Sequence, residues 1–316
     1  MIGSPVQKST PTKPGHSMKP IHGIVPPLPT PMTADRSAVD LGAFHKLVRY
    51  HLDAGVHGLW ILGTTARFDL LTDHDQRKLA EVAVQENRGQ VPLVLNVSDQ
   101  GTMRTLARAQ LFKDLPYDYY AALPPWYQPM TRAEILDYFV SLADQLDRPL
   151  FIYNAPWICN QLTFEELRKL AEHPRIAGCK DVTPVLGRPL TWKEDERKDL
   201  NFSYLHGSDL IGESTEMGSD GFVNSLSDLA PALAVAIWNA SIAKDHGRVE
   251  RLQAQFSRLG RATGFGSFLS CLDAAGRNLG LFQSMLPAPL RPLDAETEKR
   301  VVAVFQRTGT QPAPSS

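Results

Sequence analysis

From Ile21 onward, short apolar runs alternate with longer stretches in which apolar residues recur at helical spacing. Residues 23–26, 58–63, 91–96, 119–123, 150–153, 176–180, 202–206 and 221–225 have the length and content of buried parallel strands. Between them, residues 39–54, 72–87, 102–115, 131–146, 163–173, 211–217 and 231–244 read as amphipathic helices. Local signals mark several of their ends. Thr72 precedes Asp73 and Asp75, Thr163 stands three residues before Glu166 as in a capping box, and Gly55 closes the first helix. Residues 184–199 are less regular and read as an outer loop with a short helix. The pattern therefore predicts an α/β protein with eight β-α units over about 220 residues, the size of a (β/α)8 TIM barrel. A doubly wound open sheet competes with it, but no G-x-G-x-x-G or Walker loop is present to mark a switch point.

The same pattern sets the domain limits. Residues 1–19 lack an apolar core segment and read as a disordered leader or tag, with Met18 as a second possible start. Residues 20–245 form the barrel. Residues 246–308 add helices at 249–263, 266–278 and 296–307, which cover the barrel side or an oligomer interface, and 309–316 form a disordered tail.

Composition removes several function classes. In 316 residues the formal net charge is −1 and basic residues are scattered, so nothing points to nucleic acid or a membrane surface. No apolar run approaches the ~18 residues needed to span a bilayer. Three cysteines without C-x-x-C spacing suggest reduced thiols and a cytoplasmic setting. The nine histidines show no H-x-x-x-H or Cys/His ligand spacing, so neither a metal nor another cofactor is expected.

In a barrel the strand ends carry the chemistry. The ends here offer Thr64 and Thr65, Trp126 and Tyr127, Tyr153, Lys180, Asp209, and Val223 with Asn224. Lys180 closes an apolar strand, where burial disfavours an ammonium and leaves an amine able to attack a ketone. The competing reading is an ion pair with Asp181. Tyr153 ends the preceding strand and is placed to pass protons to and from that amine. Gly63-Thr64-Thr65 offers backbone N–H groups and two hydroxyls suited to a carboxylate. His206 reads as a core histidine.

Four motifs in matching order carry a resemblance over residues 21–305: Gly-Thr-Thr after strand two, Pro-Trp-Tyr-Gln-Pro after strand four, Tyr-Asn-Ala-Pro after strand five and Gly-Cys-Lys-Asp after strand six. The chain resembles the dihydrodipicolinate synthase / N-acetylneuraminate lyase family, pyruvate-dependent class I aldolases that are commonly homotetramers. The resemblance implies that Lys180 forms an imine with a 2-keto acid and that Tyr153 transfers protons. It also implies that Thr64 and Thr65 hold the keto-acid carboxylate, with Thr65 linking Tyr153 to a second tyrosine. Tyr127 aligns with that tyrosine, which reaches across from a neighbouring subunit; Trp126 is the alternative register. The backbone at Val223 matches a contact near the keto acid, and Gly207 and Asp209 match positions used for a sugar chain.

Two departures shape the expected function. Where the family reads Gly-Thr-Thr-Gly-Glu, this chain has Ala66-Arg67 after the threonines. Where the synthases carry a carboxylate-gripping arginine after strand five, it has Trp157-Ile158. The expected activity is thus a Schiff-base lyase or aldolase that cleaves or forms a C–C bond of a 2-keto acid, or dehydrates a 2-keto-3-deoxy sugar acid. It is not expected to be a true dihydrodipicolinate synthase. Phe68, Trp126, Trp157 and Ile158 suggest an apolar pocket wall and a less polar aldehyde partner. The alternative is a non-catalytic family member that binds a keto acid or serves as an assembly subunit.

Overall fold

The protein is described by a computed structural model over residues 20–158, 160–192 and 200–308. The leader, the tail, Cys159 and residues 193–199 of the outer segment lie outside the described residues. Eight strands form one parallel sheet: β1 (Gly23–Ile24), β2 (Leu59–Ile61), β3 (Leu93–Asn96), β4 (Tyr119–Ala122), β5 (Leu150–Asn154), β6 (Ile176–Asp181), β7 (Ser203–His206) and β8 (Gly221–Phe222). From β2 to β8 each strand pairs with its neighbours in sequence, and β8 pairs with β1. The circle closes just beyond β1, where Pro27 bridges to Trp60 and the Trp60 amide donates to the Pro26 carbonyl at 3.0 Å. This is the expected (β/α)8 barrel.

Helices α1 (Leu41–Asp53), α2 (Asp73–Asn87), α3 (Thr102–Gln110), α4 (Arg132–Gln145), α5 (Phe164–Ala171), α6 (Ile211–Glu216) and α7 (Pro231–Ile242) alternate with the strands. Thr163 and Thr131 each form a full capping box, and Thr72 caps α2 through the Asp75 amide. The sequence pattern overran α3. It ends at Gln110, not at residue 115, because the following amides of Leu111 and Phe112 bond three residues back, and this tighter winding buries Phe112 completely. β8 is also shorter than its apolar run. Asn224 leaves the sheet to cap the next turn, accepting from the Ser227 amide. Short 3-10 turns at Phe68–Leu70, Arg188–Thr191 and Ser225–Asp228, none of which has a periodic signal, follow β2, β6 and β8.

Three further helices follow the barrel: α8 (His246–Gly260), α9 (Phe268–Asn278) and α10 (Ala295–Arg307). α8 starts earlier than its apolar pattern because Asp245 caps it through the Arg248 amide. Buried Asp273 on α9 accepts from Ser284 Oγ and the Met285 amide, and the Ser284 carbonyl in turn takes the Met32 amide of the barrel. The end of α8 reaches the barrel mouth, where Gly260 lies against Leu226 and Asp209.

The pleat sends alternate strand residues into the barrel. Phe151 and Tyr153 of β5 point inward and meet Trp60 of β2 edge-to-face, with ring centroids 6.1 and 5.9 Å apart. These rings leave no room for larger neighbours. A Cβ on Gly178 would stand 2.4 Å from Phe151 Cε1 and 2.5 Å from the Ser203 carbonyl. On Gly221 it would stand 2.3 Å from the Gly23 carbonyl, where the two ends of the barrel meet. Because that neighbour is backbone, Gly221→Ala is expected to destabilise the barrel by roughly 2–4 kcal/mol. Gly264→Ala, whose Cβ meets nothing within 4 Å, is expected to be near neutral in the same thermal denaturation assay.

Candidate active site

β5 and β6 run in register with Tyr153 opposite Lys180, and Lys180 lies opposite Leu205 of β7. Both side chains therefore enter the barrel side by side. Lys180 is 4% exposed, and its Nζ lies 4.0 Å from the centroid of the Tyr153 ring and 5.4 Å from that of Trp60. Aromatic faces hold the amine in place. The ion pair with Asp181 does not form, because adjacent strand residues face opposite sides of the sheet. Asp181 points outward and accepts from Asn154 Nδ2, the Thr183 amide and hydroxyl, Arg188 Nη1 and the Tyr204 hydroxyl. Among the described residues no carboxylate lies within ion-pair distance of the Lys180 amine.

The turn after β2 meets Tyr153 from across the barrel. The Tyr153 hydroxyl donates to Thr64 Oγ1 at 3.1 Å, while Thr65 Oγ1 pairs with Ser225 Oγ at 2.7 Å. The hydroxyl that meets Tyr153 is that of Thr64, where the sequence pointed to Thr65. The turn is tight, with the Ala66 amide bonded to the Gly63 carbonyl and that of Arg67 to Thr64, so successive threonines face different neighbours. The amides of Thr64 and Thr65 themselves have no acceptor among the described residues. Two unused N–H groups and two hydroxyls are the donors a carboxylate requires.

The unusual Ala66-Arg67 pair has its own supports. Thr30 Oγ1 donates to the Ala66 carbonyl at 2.9 Å, Gln76 Nε2 to that of Phe68 at 2.9 Å, and Arg67 grips Asp69 with two nitrogens. Arg67 adopts a left-handed φ of 51°, which turns the chain into the short Phe68–Leu70 helix.

The β7–β8 side supplies the opposite wall. The Val223 amide is used by the His206 carbonyl at 2.9 Å, and the Val223 carbonyl has no donor among the described residues. Gly207 bonds the Asp181 carbonyl, and an added Cβ there would stand 2.8 Å from Val182. The Asp209 carbonyl accepts from Gln253 of α8, but its carboxylate has no hydrogen bond among the described residues. Burial against the end of α8 pushes the Asp209 carboxyl up to about 6. His206 is a core residue as expected, accepting the Ser208 amide at Nδ1, and burial lowers its pKa.

Tyr127 stands apart. It is 78% exposed at the rim, and only its backbone is held, by Gln100 Oε1. Within one chain the structure does not bring it to Tyr153. Trp126 turns inward and packs edge-to-face on Phe68 at 5.9 Å. Trp157 is 59% exposed and Ile158 half-buried beyond β5, so the four-residue apolar wall is really an inner Phe68–Trp126 pair and an outer, solvent-facing Trp157.

Two members of the site escaped the reading of strand ends. Trp60 sits inside β2, and its ring under Lys180 is signalled only by alternation along that strand. Ser225 lies in a turn with no periodic pattern. Among the described residues no cluster of His, Cys, Asp or Glu is arranged to hold a metal, and no helix is long and apolar enough to cross a membrane.

With the geometry in place, comparison with known proteins is informative. Residues 20–308 match the family model of the dihydrodipicolinate synthetase family. An uncharacterized DapA-like lyase of Halobacterium salinarum is 32% identical over 280 residues, 87% of this chain and 90% of that protein. The 4-hydroxy-tetrahydrodipicolinate synthase of Parvibaculum lavamentivorans is 26% identical over 275 residues, 86% of this chain and 94% of its own. The solved dihydrodipicolinate synthase of Bacteroides thetaiotaomicron superposes with a TM-score of 0.84 at 27% identity, covering 92% of this chain and 99% of that one.

Asp209 generates a pH test. Its raised pKa means that the folded chain keeps a proton which the unfolded chain has already lost above its ordinary value of 3.8. Wild-type stability at this residue is thus lost as pH rises from about 4 through about 6. Allowing for partial exposure, the loss is about 1–2 kcal/mol. Asp209→Asn is expected to melt with wild type near pH 4 and a few degrees above it at pH 8. Equal melting temperatures at both pH values would show that the carboxylate is not strained by burial.

Proposed function

The chain is a member of the dihydrodipicolinate synthetase family, and we propose that it is a Schiff-base-forming lyase that makes or breaks a bond in a 2-keto acid such as pyruvate. The observation that carries this reading is the Lys180 amine, which is buried, free of any described carboxylate partner and lies 4.0 Å from the Tyr153 ring, with Thr64 and Thr65 opposite. In this reading the keto-acid carboxylate rests on the free amides of Thr64 and Thr65. The Lys180 amine attacks the C2 carbonyl carbon, and a proton passed to the carbinolamine hydroxyl lets water depart and leaves an iminium. The iminium withdraws electrons from C3 of the substrate, while the Tyr153 hydroxyl, oriented by Thr64, relays the protons. In cleavage, Tyr153 takes the proton of the C4 hydroxyl, the C3–C4 bond breaks, an aldehyde departs and the enamine of pyruvate remains on Lys180. The same iminium supports loss of water from a 2-keto-3-deoxy sugar acid. Tyr127 joins this relay only from a second copy of the chain, which supports an oligomeric enzyme of the homotetrameric kind.

The second substrate is read from what the mouth lacks. Trp157 and Ile158 occupy the loop after β5, and Arg188 after β6 is already bonded to Asp181 at 2.9 Å. The inner Phe68–Trp126 pair supports an apolar aldehyde, or a sugar acid, over a partner carrying its own carboxylate, and thus a reaction other than dihydrodipicolinate synthesis. The non-catalytic alternative rests on Ala66-Arg67. The hydrogen bonds from Thr30 and Gln76 and the Arg67–Asp69 pair supply that turn with local support, which weakens it.

Borohydride reduction in the presence of pyruvate should add one reduced pyruvyl group to the intact chain, and the adduct should vanish in Lys180→Ala. Absence of the adduct in wild type, or its persistence in the variant, overturns the imine. Tyr153→Phe should still trap pyruvate but lower turnover by about 10^2–10^4. For the second substrate, Trp126→Ala should reduce kcat/KM about tenfold for apolar aldehydes and leave pyruvate trapping unchanged.

A further inference from the structure

Two aspartates near Lys180 have opposite surroundings. Asp181 is saturated with donors, whereas neither oxygen of Asp228 has any partner, although Asp228 is only 2% exposed. A buried carboxylate without a single donor is among the costliest arrangements a protein can hold. His51 of α1, fully buried, lies opposite it, with Nε2 3.7 Å from Asp228 Oδ1. That imidazole nitrogen also lacks a partner. Its other nitrogen does not: His51 Nδ1 bonds the Leu47 carbonyl at 2.8 Å. A carbonyl only accepts, so Nδ1 carries the ring proton and, in the neutral ring, Nε2 is a bare acceptor. Two acceptors facing each other 3.7 Å apart are reconciled when one proton lies between them.

We propose that Asp228 and His51 share one proton, with Asp228 as the carboxylic acid donating to His51 Nε2, and that this bond pins the turn Ser225–Asp228 so that Ser225 can hold Thr65 in the keto-acid cradle. Asp228 is thus a positioning residue, acting through Ser225. The direction of the ionisation shifts agrees with the geometry. Burial raises the Asp228 carboxyl well above its ordinary value, outweighing the lowering effect of Lys180, and burial lowers His51 to about 4 against the opposing effect of the Leu47 and Asp228 backbone. α1 grips the turn at two successive residues, because the Tyr50 hydroxyl donates to the Leu229 carbonyl at 3.3 Å next to the His51 contact. On the other side, Asn224 caps the turn and bonds the Ser208 carbonyl, so that end is held without Asp228. At 3.7 Å the His51–Asp228 contact is longer than a formed hydrogen bond, and the shared proton would draw it in.

The cradle role rests on the proposed keto-acid chemistry; the proton itself does not. Infrared difference spectra of wild type against Asp228→Asn at neutral pH should show the carbonyl stretch of a protonated carboxyl, and an ionised carboxylate signal instead would overturn the pair. Hydrogen exchange should show the amides of residues 225–230 protected in wild type and in Asp228→Asn, whose amide still donates to Nε2. In Asp228→Ala they should exchange about tenfold faster or more. Half-saturation by pyruvate in borohydride trapping should rise about tenfold in Asp228→Ala and stay within about threefold in Asp228→Asn. Unchanged half-saturation in the alanine variant, or an asparagine variant as impaired as the alanine one, overturns the positioning role. If wild type is never trapped, the keto-acid reading fails by itself, and the infrared and exchange results still decide whether the proton pins the turn.

Discussion

The register between β5 and β6 is the constraint on which the site depends. It places Tyr153 beside Lys180 on the inner face and, by the same alternation, sends Asn154 and Asp181 outward together. A shift of one residue would expose the amine to the outer helices and put Asp181 inside the barrel. Packing protects the register. Gly178 admits the Phe151 ring, and Phe151 and Tyr153 both abut Trp60 from the far side of the barrel. The outer network around Asp181, with Arg188 and Tyr204 converging on one carboxylate oxygen, locks the other face of the same strand pair. The amine is therefore held without a salt bridge, by rings inside and by hydrogen bonds to its sequence neighbour outside.

The strands and most helices could be read from the chain because burial on both faces leaves a plain signature: continuous apolar runs between amphipathic ones. The helix starts at Thr72, Thr131 and Thr163 were legible for the same local reason, since capping chemistry needs only four residues. What failed depended on tertiary fit. α3 stops early so that Phe112 can be buried, and β8 stops after two residues because Asn224 finds the Ser208 carbonyl. The Ser208 carbonyl lies 16 residues from Asn224 in sequence.

The candidate site divides along the same line. Lys180, Tyr153 and Thr64 were legible as strand ends, and the structure brings them together. Which threonine meets Tyr153 was not legible, because two adjacent threonines in a tight turn differ only in which neighbour each one faces. Ser225 and Trp60 carried no motif of their own. Tyr127 is the converse case: its position after β4 is plain in the sequence, but a single chain leaves it in solvent.

Polar satisfaction is uneven around Lys180, and the unevenness has a direction. On the β5–β7 side every oxygen of the Asp181 carboxylate is occupied, and that wall is rigid. On the mouth side, the amides of Thr64 and Thr65, the Val223 carbonyl and the Asp209 carboxylate have no partners among the described residues. Unused groups at a mouth open to water are cheap, because water can occupy them until a ligand does. Unused groups in the core are not, and this separates Asp228 from Asp209. Asp209 is partly open to the mouth, whereas Asp228 faces His51 in the core. Unused donors and acceptors thus gather at one concave face of the barrel, and the Asp228–His51 pair behind that face is the place for the proposed proton.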